Sequence, residues 1–149
     1  MTDNESAKAL ALFPALQKIK DELALYEILL RRWQAKINLV APNTLDAIWM
    51  RHFADSVQVF ETAPEASIWI DMGSGAGFPG LVTALLLKNR PGGLVHLIES
   101  DQRKAAFLRA VSRETGAPVE IHVGRIESVV PTISEKIDAV SARALAPLD

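Results

Sequence analysis

The chain has 149 residues, 49% of them hydrophobic and 23% charged, and no cysteine. This is the composition of one ordinary globular domain, and it excludes disorder, disulfides, thiolate metal sites and cysteine nucleophiles together. Sixteen Lys and Arg against eighteen Asp and Glu leave a net charge of −2, so the surface as a whole does not attract nucleic acid and any phosphate binding must come from a local basic patch.

The opening MTDNESAKAL is polar and acidic where a signal peptide is basic and then apolar. No apolar run approaches the roughly 20 residues that a bilayer span requires, and the expected compartment is the cytoplasm. A short first helix is expected to end near Pro14, because proline removes a donor and crowds the preceding turn. Between Asp21 and Leu39, the residues Leu23, Tyr26, Leu30, Trp33 and Ile37 recur at spacings of three and four, which predicts one apolar face of a second helix. Glu22, Glu27, Arg31, Gln34 and Lys36 lie opposite. After the break at Ala41-Pro42, Asn43 or Thr44 is a suitable cap for a helix running to about Phe60, with Ile48, Phe53, Val57 and Phe60 on its inner side. Residues 1–63 thus read as a helical region packed on a sheet formed by the rest of the chain.

From Ser67 the period changes. Ile68-Trp69-Ile70, Leu94 to Ile98, Val119 to Val123 and Ile137 to Val140 are short apolar or alternating runs separated by helical stretches. The helix beginning at Gln102 has Ser100 or Asp101 as its cap and Gly116 just past its end, with Ala106, Phe107, Ala110 and Val111 facing inward. Strands joined by helices must be parallel and covered on both faces. The predicted fold is therefore α/β, a doubly wound open sheet over residues 64–149, with its ligand beyond the carboxyl ends of the strands.

The stretch DMGSGAGFPG, residues 71–80, lies at the end of the first strand. Glycines let a strand turn sharply into a helix and let backbone N–H groups approach a ligand. Pro79 suits the first turn of the helix after it. Gly75 to Gly80 satisfies G-x-G-x-x-G, and Glu99, ending the second strand, is placed to hold a ribose, so an NAD-dependent oxidoreductase is one reading. However, Asp71 leads a G-x-G-x-G run at Gly73, Gly75 and Gly77, and an acid there suits an ammonium group and repels a pyrophosphate. The ligand with a ribose for Glu99 and an amino acid for the Asp71 loop is S-adenosyl-L-methionine. A non-catalytic nucleotide-binding module is the third reading, and a plain helix-capping acid is the alternative role for Glu99.

The chain as a whole also resembles the bacterial 16S rRNA guanine-N7 methyltransferases of the RsmG or GidB type. The resemblance runs through Trp33, Lys36, Asn38 and Leu39, His52 with Asp55-Ser56, DMGSGAGFPG, Glu99 with Arg103-Lys104 and Phe107-Leu108, Gly124-Arg125-Ile126-Glu127, and Ala142-Arg143-Ala144-Leu145. It implies a Rossmann-like class I methyltransferase sheet with an N-terminal helical extension. It also implies that Gly73 and Phe78 contact the cofactor, that Ile126 and Glu127 flank its adenine, and that Arg143 lies beside the methyl group or the incoming nucleotide. Such sheets have seven strands, so a chain ending after its fourth is expected to be truncated. Arg103-Lys104 stands where the family often has two lysines, and Ile126 where alanine is common.

The chemistry agrees with what is missing. Methylating C5 of a pyrimidine generally calls for a cysteine that adds to the ring. Methylation of an exocyclic amine commonly uses an Asn/Asp-Pro-Pro-aromatic turn where this chain reads SARALAPLD. Guanine N7 presents an unprotonated in-plane lone pair and needs no general base, so in-line positioning suffices; no acid-base dyad and no metal are expected. Arg143 and Arg125 are the cations placed to grip a phosphate or guanine O6. His52, Asp55 and Ser56 fall within one helical turn without a nucleophile elbow, so a structural histidine is expected in place of a hydrolytic triad. Arg31-Arg32-Lys36 and Arg103-Lys104-Arg109-Arg113 are the basic regions available to RNA. The expected partner is 16S rRNA within the 30S subunit, read by shape and a splayed base, and the expected state is a monomer.

Overall fold

The computed structural model describes residues 2–142. In chain order its elements are helix α1 (Thr2–Leu12), a 3-10 segment Pro14–Ile19, α2 (Lys20–Gln34), a second 3-10 segment Pro42–Ala47, a π-helical turn Trp49–Phe53, α3 (Ala54–Glu61), β1 (Ile68–Met72), α4 (Gly80–Leu87), β2 (Leu94–Glu99), α5 (Gln102–Thr115), β3 (Val119–Val123), α6 (Ile126–Val129), a 3-10 turn Val130–Thr132 and β4 (Ala139–Ala142). The four strands form one parallel sheet in the order β3-β2-β1-β4. The chain winds outward from β1 to β3 and then returns to the other side of β1, so the switch point lies between β1 and β4. Among the described residues no helix is long and apolar enough to cross a membrane.

Alternation along the strands divides the sheet into two faces. Trp69, Val95, Leu97, Val119, Ile121 and Ala139 join one apolar cluster with Leu16, Leu23, Tyr26, Leu30, Phe53, Leu81, Phe107 and Leu108. The amino-terminal helices, α4 and α5 therefore share a single core with this face, each fully buried leucine contributing roughly 1.5–3 kcal/mol relative to exposure. Ile70, His96 and Ile98 point the other way, and the segment from α6 to Glu135 covers His96 there.

The structure corrects several boundaries. Helix α2 stops at Gln34 although the apolar period continues to Ile37. The Gln34 amide explains the stop: its Oε1 accepts from the N–H groups of Leu39 and Val40, both at 3.0 Å, and its Nε2 donates to the Val40 carbonyl at 2.8 Å. One side chain thus captures the following loop and folds Ile37 inward without a helix. The expected helix from Asn43 to Phe60 is split into 3-10, π and α segments, and neither Asn43 nor Thr44 caps it. Instead, Thr44 donates to the Ala41 carbonyl at 2.7 Å, while the Glu5 carboxylate accepts from the Met50 N–H at 2.8 Å where the π turn begins. Pro79 sits one residue before α4, in the N-cap position. The fourth strand begins at Ala139, two residues later than its apolar run, and in α5 Ala105 is buried where Ala106 was expected. Asp101 and Gly116 bound α5 as the sequence predicts: Asp101 accepts from the Arg103 and Lys104 N–H groups at 2.8 and 3.1 Å, and Gly116 adopts the left-handed conformation.

Candidate functional site

Helices on the core face leave the carboxyl ends of β1 and β2 open, and the glycine loop begins there. The N–H groups of Gly73 and Ser74 both donate to the Ile98 carbonyl, at 2.9 and 3.0 Å, so the loop is first tied to the neighbouring strand. Ser74 Oγ donates back to the Asp71 carbonyl at 3.1 Å. Gly77 then turns the chain toward α4 with φ of 94°, a region that side chains disfavour. A Cβ built on it would also lie 2.4 Å from Tyr26 Oη and from Leu81 Cδ1. Tyr26, fifty residues earlier on α2, donates its hydroxyl to the Ala76 carbonyl at 2.6 Å. The helical front therefore holds the glycine loop directly.

Glu99 links the two strand ends. Its Oε1 accepts from the Gly75 N–H at 2.7 Å, its Oε2 from the Asp101 N–H at 2.9 Å, and its carbonyl from the Gly124 N–H at 3.0 Å. These bonds fix the carboxylate plane while each oxygen retains a lone pair. Beside it, Asp101 is held below the usual carboxylate range, mainly by the Lys104 N–H, with burial opposing and the Arg103 N–H and the two basic side chains assisting.

Two cavities meet at this carboxylate. One, about 590 Å³, is lined by Gly73, Ile98, Glu99, Ser100 and the stretch Gly124 to Glu127. The second, about 500 Å³, lies between the glycine loop and the amino-terminal helices, with Gly73 to Ala76, Glu99 and Lys104 on one side and Leu39 to Ala41, Thr44, Arg51, His52 and Asp55 on the other. Gly73 and Glu99 border both, forming a single cleft with two lobes. One lobe presents Arg125, Ile126 and Glu127, the other Arg51 and Lys104.

The candidate residues are thus distributed unequally. Gly73, Gly75, Glu99, Ile126 and Glu127 border the cleft. Asp71 and Phe78 do not border either lobe. Asp71 is fully buried beneath the loop, where its Oδ1 accepts from Ser141 Oγ at 2.7 Å and its Oδ2 faces Gly80. This corrects the expectation of direct ammonium contact, since a carboxylate turned into the interior acts by holding β4 and the start of α4. Phe78 is sandwiched between Tyr26 (5.2 Å, 11° between planes) and His52 (4.6 Å, 11°), which makes it a packing anchor of the loop. Arg143 lies outside the described residues.

His52 is buried, stacked on Phe78, with Nε2 2.9 Å from Thr44 Oγ1. Ser56 donates to the His52 carbonyl at 2.7 Å, so this bond goes to the backbone and does not join a serine to the imidazole. The sequence reading did not single out Val40, Ala41 or Arg51. The loop carrying Val40 and Ala41 is held beside the cleft by the Gln34 amide, and Arg51 reaches it from the π turn.

A sequence profile of the family described as GidB, rRNA small subunit methyltransferase G, matches residues 19–149. Curated proteins named ribosomal RNA small subunit methyltransferase G are similar over most of the chain. The protein of that name from Bradyrhizobium sp. (strain ORS 278) is 51% identical over 97% of this chain and 65% of its own length. Those from Parvibaculum lavamentivorans and Methylorubrum extorquens are 52% and 54% identical, over 100% and 85% of this chain and 65% and 59% of theirs. The chain therefore spans about two thirds or less of the length of these relatives.

Proposed function

The chain belongs to the GidB family, rRNA small subunit methyltransferase G, and from that premise we propose that it carries the S-adenosyl-L-methionine site of an enzyme methylating N7 of a guanine in 16S rRNA. The observation that carries the reading is the Glu99 carboxylate, fixed between the lobes by Gly75 and Asp101 with acceptor capacity to spare. Two adjacent ribose hydroxyls are the donors such a carboxylate is built to receive. On one side, Ile126 offers an apolar surface and Glu127 an acceptor for an adenine ring with its exocyclic amine. On the other, the backbone from Gly73 to Ala76 is open to the amino-acid end, with no Cβ at Gly73 or Gly75 to hold it away. The donor set therefore fits the cofactor, which when bound supplies an electrophilic sulfonium methyl.

The residues of the chain then orient and do not transfer protons. Guanine N7 attacks with a lone pair that carries no hydrogen, so alignment with the methyl carbon is the main requirement, and good orientation is worth on the order of 7–11 kcal/mol. Arg51 and Lys104, beside the glycine loop, are the cations available to a phosphate of the incoming RNA. Arg143, which the family resemblance implies, is a further cation we assign to substrate recognition. The substrate is 16S rRNA within the 30S subunit, the compartment the cytoplasm and the working state a monomer. Residues 1–63 form the region that walls the second lobe, and residues 64–149 the cofactor-binding part.

Calorimetry of the 149-residue chain with S-adenosylmethionine, S-adenosylhomocysteine and NADH tests the site. Binding of the first two with no heat from NADH is expected, and preference for NADH overturns the assignment. Methyl transfer to 30S particles against naked 16S RNA tests the substrate, and RNA association that does not weaken with salt would contradict phosphate recognition.

A further inference from the structure

On the sheet face opposite the shared core, a cavity of about 150 Å³ is lined by His96, Glu120, His122, Thr132, Ile133, Ser134 and Glu135, none of which borders either lobe of the cleft. Strand register assembles it. His96 on β2 pairs with Glu120 on β3, and Ile98 with His122, so the two β3 side chains project on the same face as His96. His96 is buried among the apolar Val95, Leu97 and Ile98 of β2, while Glu120 is well exposed and His122 half-buried. His96, Glu120 and Glu135 offer ligand atoms all within 4.8 Å of one another.

The arrangement around the His96 ring has two sides. Its Nε2 meets Glu135 Oε1 in a short contact. Its Nδ1 lies 3.0 Å from His122 Nε2 and 3.7 Å from Glu120 Oε2. A carboxylate accepting a hydrogen bond from Nε2–H fixes the tautomer that leaves a lone pair on Nδ1, which is how outer carboxylates prepare a histidine for a metal. With metal–ligand distances of about 2.0–2.1 Å, a tetrahedral zinc site spaces its ligand atoms by roughly 3.3 Å. The two separations measured from His96 Nδ1 lie on either side of that value.

We propose that His96 Nδ1, His122 Nε2 and a Glu120 carboxylate oxygen form a binding site for one divalent zinc-class cation, with Glu135 orienting His96 from behind. Two imidazoles and one carboxylate suit zinc over magnesium or calcium, which favour all-oxygen sets. The site joins β2, β3 and the segment after α6, so its cation stabilises that face of the sheet.

The test titrates the chelator-stripped 149-residue chain with zinc chloride against a chromogenic chelator, and separately with cobalt chloride. One zinc per chain with a Kd of about 10 µM or tighter, and cobalt bands of tetrahedral intensity, are expected. His122→Ala and Glu120→Gln should each weaken zinc by roughly tenfold or more, and Glu135→Gln by about 10–100-fold, with unchanged circular dichroism. Should His122→Ala fold poorly, the exposed Glu120→Gln and the cobalt spectrum of the unaltered chain decide. A Kd weaker than about 1 mM, or affinity untouched by Glu120→Gln and His122→Ala, overturns the site.

Discussion

Replacing Tyr26 with phenylalanine isolates the link between the helical front and the glycine loop. The ring stays, and with it the stack on Phe78 at 5.2 Å and the tilted contacts with Phe53 and Phe107 at 5.3 and 6.2 Å. What is removed is the hydroxyl that donates to the Ala76 carbonyl at 2.6 Å in a buried setting. A net hydrogen bond is worth about 0.5–1.5 kcal/mol, and a buried acceptor stripped of its donor costs about 1–3 kcal/mol; the two overlap, so about 1–3 kcal/mol is expected in total. For a chain of this length that is a fall in Tm of about 2–12 °C. Urea unfolding with an unchanged m-value measures it, and calorimetry on the same samples measures cofactor affinity. Because Ala76 borders the cleft, affinity should fall about threefold or more. An unfolding free energy within about 0.3 kcal/mol of the parent refutes the buried bond. Lost stability with unchanged affinity refutes the coupling.

Gly80→Ala forces a Cβ to within 2.4 Å of Asp71 Oδ2 and 2.5 Å of Leu97 Cδ2, so we expect a loss of about 1–3 kcal/mol or more in urea unfolding. A neutral result would mean that α4 shifts freely over the sheet. Glu99→Gln keeps the size of the side chain but replaces the charged acceptor of Gly75 and Asp101. S-adenosylmethionine affinity should drop by about tenfold or more with modest loss of stability, and equal affinity in calorimetry would remove Glu99 from the site. Burial first, then the neighbouring His96, hold His122 below its ordinary 6.5 against the opposing pull of Glu120. The folded protein thus favours the neutral ring. Its contribution is present above pH 6.5 and lost as pH falls through the lowered value. With chelator present, the stability of the parent should fall more steeply between pH 7 and 5 than that of His122→Gln, and parallel curves would contradict this.

How far the sequence led depended on the range of the forces involved. The helix α5 was legible because its cap, its periodicity and its terminal glycine lie within sixteen residues of one another, and each acts locally. Strands β1 to β3 were legible from the change of period at Ser67. The break at Trp49–Phe53 was not, since the π turn depends on Glu5, forty-five residues earlier, reaching the Met50 N–H. Asp71 was assigned to the cleft because it leads the glycine run, and its partner Ser141, seventy residues away, left no local sign of its burial. The family resemblance implied a cofactor contact for Phe78, which Tyr26 and His52 enclose from elsewhere in the chain. Glu99, Gly73 and Gly75 do border the cleft, because strand ends and loop backbone set the place of such a crevice before any side chain packs.

Since Leu16, Leu23 and Tyr26 lie in the same apolar mass as Trp69, Leu97 and Phe107, the change of pattern near residue 63 marks no seam along which the molecule would come apart. Cutting there would leave two halves, each with a wet hydrophobic wound. The leading helices are thus as much a foundation for the sheet as they are a rim around its open end.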